Sequence, residues 1–331
     1  MEKVIFTRKI DENSKGFLKQ ELGKVFSKNE KVAIKLHMGE KGNKYYLKPD
    51  LVKVIIDVLK QLKTEPFLFD SPVIYPGGRD TVQKYYNTAK QHGFTEELIG
   101  CKIIISNEFE YVKTEHLNAE VCKDIINADG LLVLSHVKGH MCSGFGGAIK
   151  NVGMGCVTIK TKAEIHNFAN PMFVADCVGC GTCYKACPVH AISMKNNKAN
   201  INYSSCWGCG ACINVCPSNV LKPKIASFDR LIAEGASAVL KKAKKTYYIN
   251  VLQNITRLCD CATDPEGIVL EDIGILLGKD IVAVEKASFD LINKKAGKDL
   301  FEELHKKSPL EHIKEAEILG LGNLNCELIE K

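Results

Sequence analysis

The chain has 331 residues, a net charge of +6 and 45% hydrophobic residues, enough to bury a substantial core in about two domains. No run approaches the roughly 18 uncharged apolar residues of a membrane helix, so no membrane association is expected. The lysines are scattered, and their densest run, Lys241-Lys242-Ala243-Lys244-Lys245, reads as a solvated helix end, so no nucleic-acid partner is expected.

The opening Met1-Glu2-Lys3-Val4-Ile5-Phe6-Thr7-Arg8 lacks the apolar core and small-residue cleavage site of a secretion signal, which points to a reducing, cytoplasmic setting for the cysteines. Residues 32–36 form a short apolar run and predict a strand. Pro49 then sits at a first helical position, with Leu51, Val52, Ile55, Ile56 and Leu59 at helical spacing behind it. Strands follow at 67–69, 103–105 and 131–134, with helices at 81–91 and 119–127 between them. Such alternation predicts an α/β fold with a mostly parallel sheet and helices on both faces.

Ligands of such sheets gather where strands end. The four exits read His37-Met38-Gly39-Glu40-Lys41-Gly42-Asn43, Asp70-Ser71-Pro72, Ser106-Asn107-Glu108 and Ser135-His136-Val137-Lys138-Gly139-His140, and their convergence would build a polar pocket. The fourth runs on through a glycine-rich turn, residues 141–151, into an expected helix. Its amides, with Lys138 and Lys150, can take a carboxylate or phosphate, or its glycines can simply permit close packing; neither G-x-G-x-x-G nor the P-loop pattern is matched. His136 and His140 suit acid-base work or metal ligation, whereas the lone strand-end His37 fits a ligand or plain hydrogen-bonded structure.

Eight of the fifteen cysteines then fall into two copies of one pattern, Cys177-x2-Cys180-x2-Cys183-x3-Cys187-Pro188 and Cys206-x2-Cys209-x2-Cys212-x3-Cys216-Pro217. Two intervening residues let a tight loop wrap three thiolates around one iron-sulfur cubane, and in two-cluster ferredoxins the fourth cysteine of each run crosses to the other cluster. The pattern predicts two 4Fe-4S clusters, one held by Cys177, Cys180, Cys183 and Cys216, the other by Cys206, Cys209, Cys212 and Cys187. Zinc would call for paired ligands, and a disulfide framework for secretion.

Beyond the cysteines the pattern resumes, with a helix at 228–242, a strand at 247–252, a helix at 281–293 and short apolar runs at 318–321 and 327–329. The second flank has too few strands for its helices, so both flanks are expected to share one sheet. The expected organisation is an α/β domain over 1–166 and 224–331, interrupted at 167–223 by a bacterial-type two-cluster ferredoxin-like α+β module. Cys259-Asp260-Cys261 is the other outlying feature: it can take a metal, act as a redox-active pair or offer a thiolate to substrate, or be two reduced thiols in a turn. One intervening residue is unusual for a native disulfide and departs from C-x-x-C geometry. Cys101, Cys122, Cys142, Cys156 and Cys326 read as ordinary buried small residues.

Residues 32–35, the segment Ala128-Asp129-Gly130 through His136-Val137-Lys138-Gly139-His140, and Gly147-Ala148-Ile149-Lys150-Asn151-Val152-Gly153 resemble the family catalogued as domain of unknown function 362. Cys259-Asp260-Cys261 and the stretches 272–275 and 280–287 look like that family too, with Glu285 where it more often has aspartate. The resemblance covers nearly the whole chain and implies one iron-sulfur protein; it implies no particular reaction.

Three readings follow. The clusters relay single electrons between a redox partner protein and the α/β domain; or the protein is an oxidoreductase reducing a small acidic substrate beside His136, Lys138, His140, Lys150, Cys259, Asp260 and Cys261; or it is a non-catalytic redox sensor or assembly protein. With all eight cysteine positions filled, ligand count leaves no iron open to substrate.

Overall fold

The computed structural model describes residues 1–331. Eight strands make one sheet: β1 (Glu2–Thr7), β2 (Lys31–Leu36), β3 (Glu65–Asp70), β4 (Lys102–Ile105), β5 (Gly130–His136), β6 (Thr246–Leu252), β7 (Gly274–Gly278) and β8 (Cys326–Glu330), in the spatial order β8-β1-β7-β6-β5-β2-β3-β4. Only β7 runs antiparallel to its neighbours; every other pairing is parallel. The strands before and after the cysteine runs meet at the β5–β6 seam, where Leu131 pairs with Thr246 and His136 with Val251.

Side chains alternate across the sheet, which splits the core in two. On one face Ile34, Leu132 and Ile249 pack with Leu18, Ile55 and Tyr85 from α1 (Lys15–Leu22), α2 (Pro49–Gln61) and α3 (Val82–Gln91). On the other, Ala33, Val133 and Tyr248 pack with Val152, Ile165, Ile232, Ile292 and Ile313. Those five come from α4 (Ala148–Gly155), α5 (Ile159–Phe168), α6 (Phe228–Leu240), α7 (Ile281–Ala296) and α8 (Glu311–Ile318). Covered on both sides, β2, β5 and β6 are almost wholly buried, and their sequences run apolar without alternation. The fold is mixed α/β with a large, mostly parallel sheet.

Residues 119–127 are not a helix. Asn118–Cys122 is a strand paired with Phe109–Lys113, and only the single turn Lys123–Ile126 is helical. Ala119, Cys122 and Ile125 do recur at helical spacing, but Ala119 to Cys122 are all buried between the hairpin partner and the helices α5 and α6, and a strand accommodates that burial. Of the two short apolar runs near the end, 327–329 lies within β8, whereas at 318–321 Ile318 closes α8 and a turn follows.

Residues 171–223 add two small antiparallel strand pairs that are not hydrogen-bonded to the large sheet, Pro171–Phe173 with Leu221–Pro223 at the two ends of the segment and the hairpin Ile192–Lys195 with Lys198–Ile201. Asn196 and Asn197 turn the second with φ of 48° and 58°, as a two-residue hairpin loop requires. The buried apolar set here is Cys183, Ile192, Ala199, Cys212 and Leu221.

Candidate functional site

From β2 the chain moves outward to β3 and β4, then returns to lay β5 on the other side of β2. The loops leaving β2 and β5 therefore diverge, and the crevice between them is where a parallel sheet holds a ligand. The Cys259-Asp260-Cys261 loop is seated in this crevice. Its Asp260 carboxylate meets His136 Nδ1 at 2.9 Å and Lys138 Nζ at 2.8 Å, and its carbonyl accepts from the Glu40 amide at 2.9 Å. His136 also reaches the Gln253 carbonyl through Nε2 at 2.6 Å, and Lys138 donates to the Tyr45 carbonyl at 2.8 Å. Burial alone would raise the Asp260 carboxyl; the neighbouring His136 and Lys138 outweigh it and hold the group below the usual carboxylate range.

Anchoring the middle residue fixes the two beside it. Cys259 and Cys261 are joined in a disulfide, and their sulfurs and a His140 ring nitrogen all lie within 4.8 Å of one another. The pair is therefore neither two free thiols nor excluded from bonding by its one-residue spacing. Its short span closes across the turn that Asp260 holds. His140 Nδ1 is engaged by the Cys142 amide at 3.3 Å and the Ser143 hydroxyl at 3.0 Å, which leaves Nε2 without a protein partner. Burial, with Lys150 and His166 nearby, holds this imidazole well below its usual range and so neutral.

The glycine-rich turn already holds an anion from within the chain. Glu285 accepts from the Gly147 amide at 3.1 Å, the Ala148 amide at 2.7 Å and Asn250 Nδ2 at 3.0 Å, capping the start of α4. A Cβ at Gly147 would fall 2.4 Å from that carboxylate, so the glycine serves a close approach. Lys150, one turn on, joins none of the molecule's ion pairs, and burial brings its amine down to about 8. His37 is also held well below its usual range, by burial and by Arg79 and Lys35. Beneath it lies a buried ion pair, Lys35 Nζ to Asp70 Oδ1 at 3.0 Å, with Asn151 on the same lysine at 2.6 Å.

The eight cysteines of the double motif are all free of disulfides. Two loops present them, each running through a left-handed glycine, Gly181 (φ 75°) or Gly210 (φ 78°), into a short helix, Thr182–Ala186 or Ala211–Asn214. Burial pushes the Cys212 thiol up to about 12, and Cys209, Cys206, Cys187 and Cys183 add to the push. Cys187, Cys206, Cys209 and Cys212 line one small cavity, so the fourth cysteine of the first run stands with the three of the second. Backbone amides point at the sulfurs: Gly179 and Ala199 at Cys177 (3.4 and 3.5 Å), Ala191 at Cys187 (3.2 Å) and Gly208 at Cys206 (3.5 Å). Soft sulfur donors with N–H groups aimed at them fit iron-sulfur ligation. Cys180 is exposed beside Val178 and Tyr184, whereas Cys209 and Cys212 face inward and are buried.

Sequence reasoning missed the seam between these loops and the α/β body. Cys142, read as ordinary packing, places Sγ 3.7 Å from the Trp207 carbonyl, and burial plus the neighbouring Cys209 push its thiol well above the usual range. Lys307 donates to the Cys142 carbonyl and, at 3.3 Å, to the Cys209 carbonyl, and pairs with Asp229 at 2.6 Å. His166 reaches the Trp207 carbonyl at 2.8 Å, and Phe228 lies between the His140 and His166 rings, 6.0 and 5.1 Å from their centres. Nothing local in the sequence marks Lys307 or Phe228, because each acts only across the seam.

No curated protein matches the chain. Solved structures that resemble it include a crystal structure of a Thermotoga maritima protein, 11% identical with a TM-score of 0.41 over 74% of this chain and 51% of the other, and the lactate racemase apoprotein from Thermoanaerobacterium thermosaccharolyticum, 12% identical with a TM-score of 0.41 over 83% and 54%. The chain spans about half the length of each. A family model described as Domain of unknown function (DUF362) matches residues 32–290.

Proposed function

The chain belongs to the DUF362 family, and from that premise we propose that it is an iron-sulfur electron-transfer protein whose two 4Fe-4S clusters relay electrons to or from a site on the α/β body. The observation that carries the reading is the company Cys187 keeps with Cys206, Cys209 and Cys212 around one cavity, the crossover that two adjacent cubanes need. Cys177, Cys180, Cys183 and Cys216 would hold the other cluster. When bound, such clusters supply one-electron chemistry at potentials tuned by hydrogen bonding and exposure.

The protein's own groups give the relay a direction in space. Gly179, Ala191, Ala199 and Gly208 offer N–H donors that spread thiolate charge, and exposed Cys180 lies where an outside redox partner can approach. Cys209 faces the seam with Cys142, Lys307 and His140 behind it. The test is chemical: protein purified or reconstituted without air should carry about eight irons and eight sulfides per chain, with a one-electron paramagnetic signal on reduction. Iron-free protein after reconstitution overturns the proposal.

One observation favours the second reading, reduction of a small acidic substrate. Lys150 is a half-buried amine with no carboxylate partner, next to Lys35 and Arg79. Inorganic phosphate should then raise the unfolding temperature of the wild type and fail to do so for Lys150→Met; equal shifts in both remove this reading.

A further inference from the structure

Two carriers of single electrons leave open where a pair of electrons is collected. The disulfide in the switch-point crevice answers to that need. Its two sulfurs sit against His140, His140 touches the Cys142 amide, and Cys142 reaches the Trp207 carbonyl, one residue from each of the flanking pair Cys206 and Gly208. Lys307 ties the same two segments together by donating to both Cys142 and Cys209. A short series of contacts thus joins the disulfide to the inward-facing cysteine set, while the outward-facing set opens to solvent at Cys180.

We propose that Cys259 and Cys261 are a redox-active pair that opens from disulfide to dithiol, collecting two electrons that arrive singly through the Cys187/Cys206/Cys209/Cys212 side. The proposal rests on the iron-sulfur reading above and names what lies at the end of its relay. The step balances: the sulfur–sulfur bond breaks, two electrons and two protons are taken up, two thiols form, and the electrons come from an external low-potential one-electron reductant. The dithiol can then hand the pair to a two-electron acceptor.

Three features of the chain suit the loop to this chemistry. Asp260 is locked by His136, Lys138 and the Glu40 amide, so the turn keeps its shape when the bond opens and the sulfurs stay together for reclosure. A His140 ring nitrogen lies within 4.8 Å of both sulfurs, a place for a proton to be held or given. The Lys150 charge acts on the His140 ring, so a thiolate formed beside that ring has a cation nearby that joins no ion pair.

The same three ligand atoms would also suit a soft metal ion, and the experiment separates the two. Anaerobic holoprotein is titrated with reduced methyl viologen, a one-electron dye, and then alkylated and mapped by mass spectrometry; a peptide containing Cys-Asp-Cys in its oxidised form is the control. The expected result is bleaching of the visible cluster absorbance together with alkylation of Cys259 and Cys261, an uptake of about four electrons per chain falling to about two in Cys259→Ser, and no reaction of the peptide. Bleaching with both thiols still protected overturns the proposal while leaving the clusters in place. Absence of iron and sulfide overturns both. A stoichiometric metal on Cys259 and Cys261, whose removal by a chelator frees the thiols without any electrons, replaces the redox pair with a metal site. Should Cys259→Ser fail to fold, the wild-type alkylation map alone gives the answer.

Discussion

Asp260 is buried with one histidine and one lysine against it, and its chemistry follows from that company. Asp260→Asn leaves Lys138, wholly buried, without its counter-charge, at a cost of about 3–5 kcal/mol measurable by denaturant unfolding. The carboxyl's folded value lies below its ordinary one, so its contribution is complete above the ordinary aspartate range of about 4 and is lost as pH falls through the lower folded value. An acid titration of wild type minus Asp260→Asn should show the stability difference shrinking only below about pH 4; a difference that shrinks between pH 5 and 7 would contradict the pairing. Glu285 is the comparable internal anion, and Glu285→Ala strands the Gly147 and Ala148 amides and Asn250, costing on the order of 3 kcal/mol. From the sequence, His136, Lys138 and Asp260 were each recognisable as chemistry-bearing. Their mutual pairing was not, because 122 residues of chain separate Lys138 from Asp260 and only the β5–β6 register brings them together.

At the scale of elements, the cysteine loops depend on glycines that no other residue replaces. Gly208 has φ +65°, and a Cβ there would lie 2.5 Å from the His166 carbonyl at the end of α5. Gly208→Ala costs about 1–2 kcal/mol from the left-handed backbone alone, and iron content per chain should fall while far-ultraviolet circular dichroism stays the same. Most strands and helices were legible, since α2, α6 and α7 carry long apolar stripes and β2, β5 and β6 are compact apolar runs. Two of the elements that were not legible share a cause. Residues 119–122 take their structure from a hairpin partner and from helices packed over them, and β7, five residues bracketed by glycines and buried on both faces, offers neither alternation nor length to read.

The molecule as a whole is unevenly supported. Clusters of 46 and 31 buried apolar residues back the two faces of the sheet, whereas five back the segment that carries the double motif, and two of those five are cysteines. A core that small gives its loops little support of its own. With the proposed clusters bound, chelating their iron should therefore raise hydrogen exchange across residues 174–220 and leave β2, β5 and β6 protected; uniform loss of protection would argue that the two regions unfold as one. The sheet's far edge carries a separate consequence. β1 is made first, yet its hydrogen-bonding neighbours are β7 and β8, supplied by the last sixty residues of the chain. On the ribosome β1 must wait, unpaired, until β7 and β8 have been made, so among the sheet's strands it is the one that a chaperone would find exposed longest.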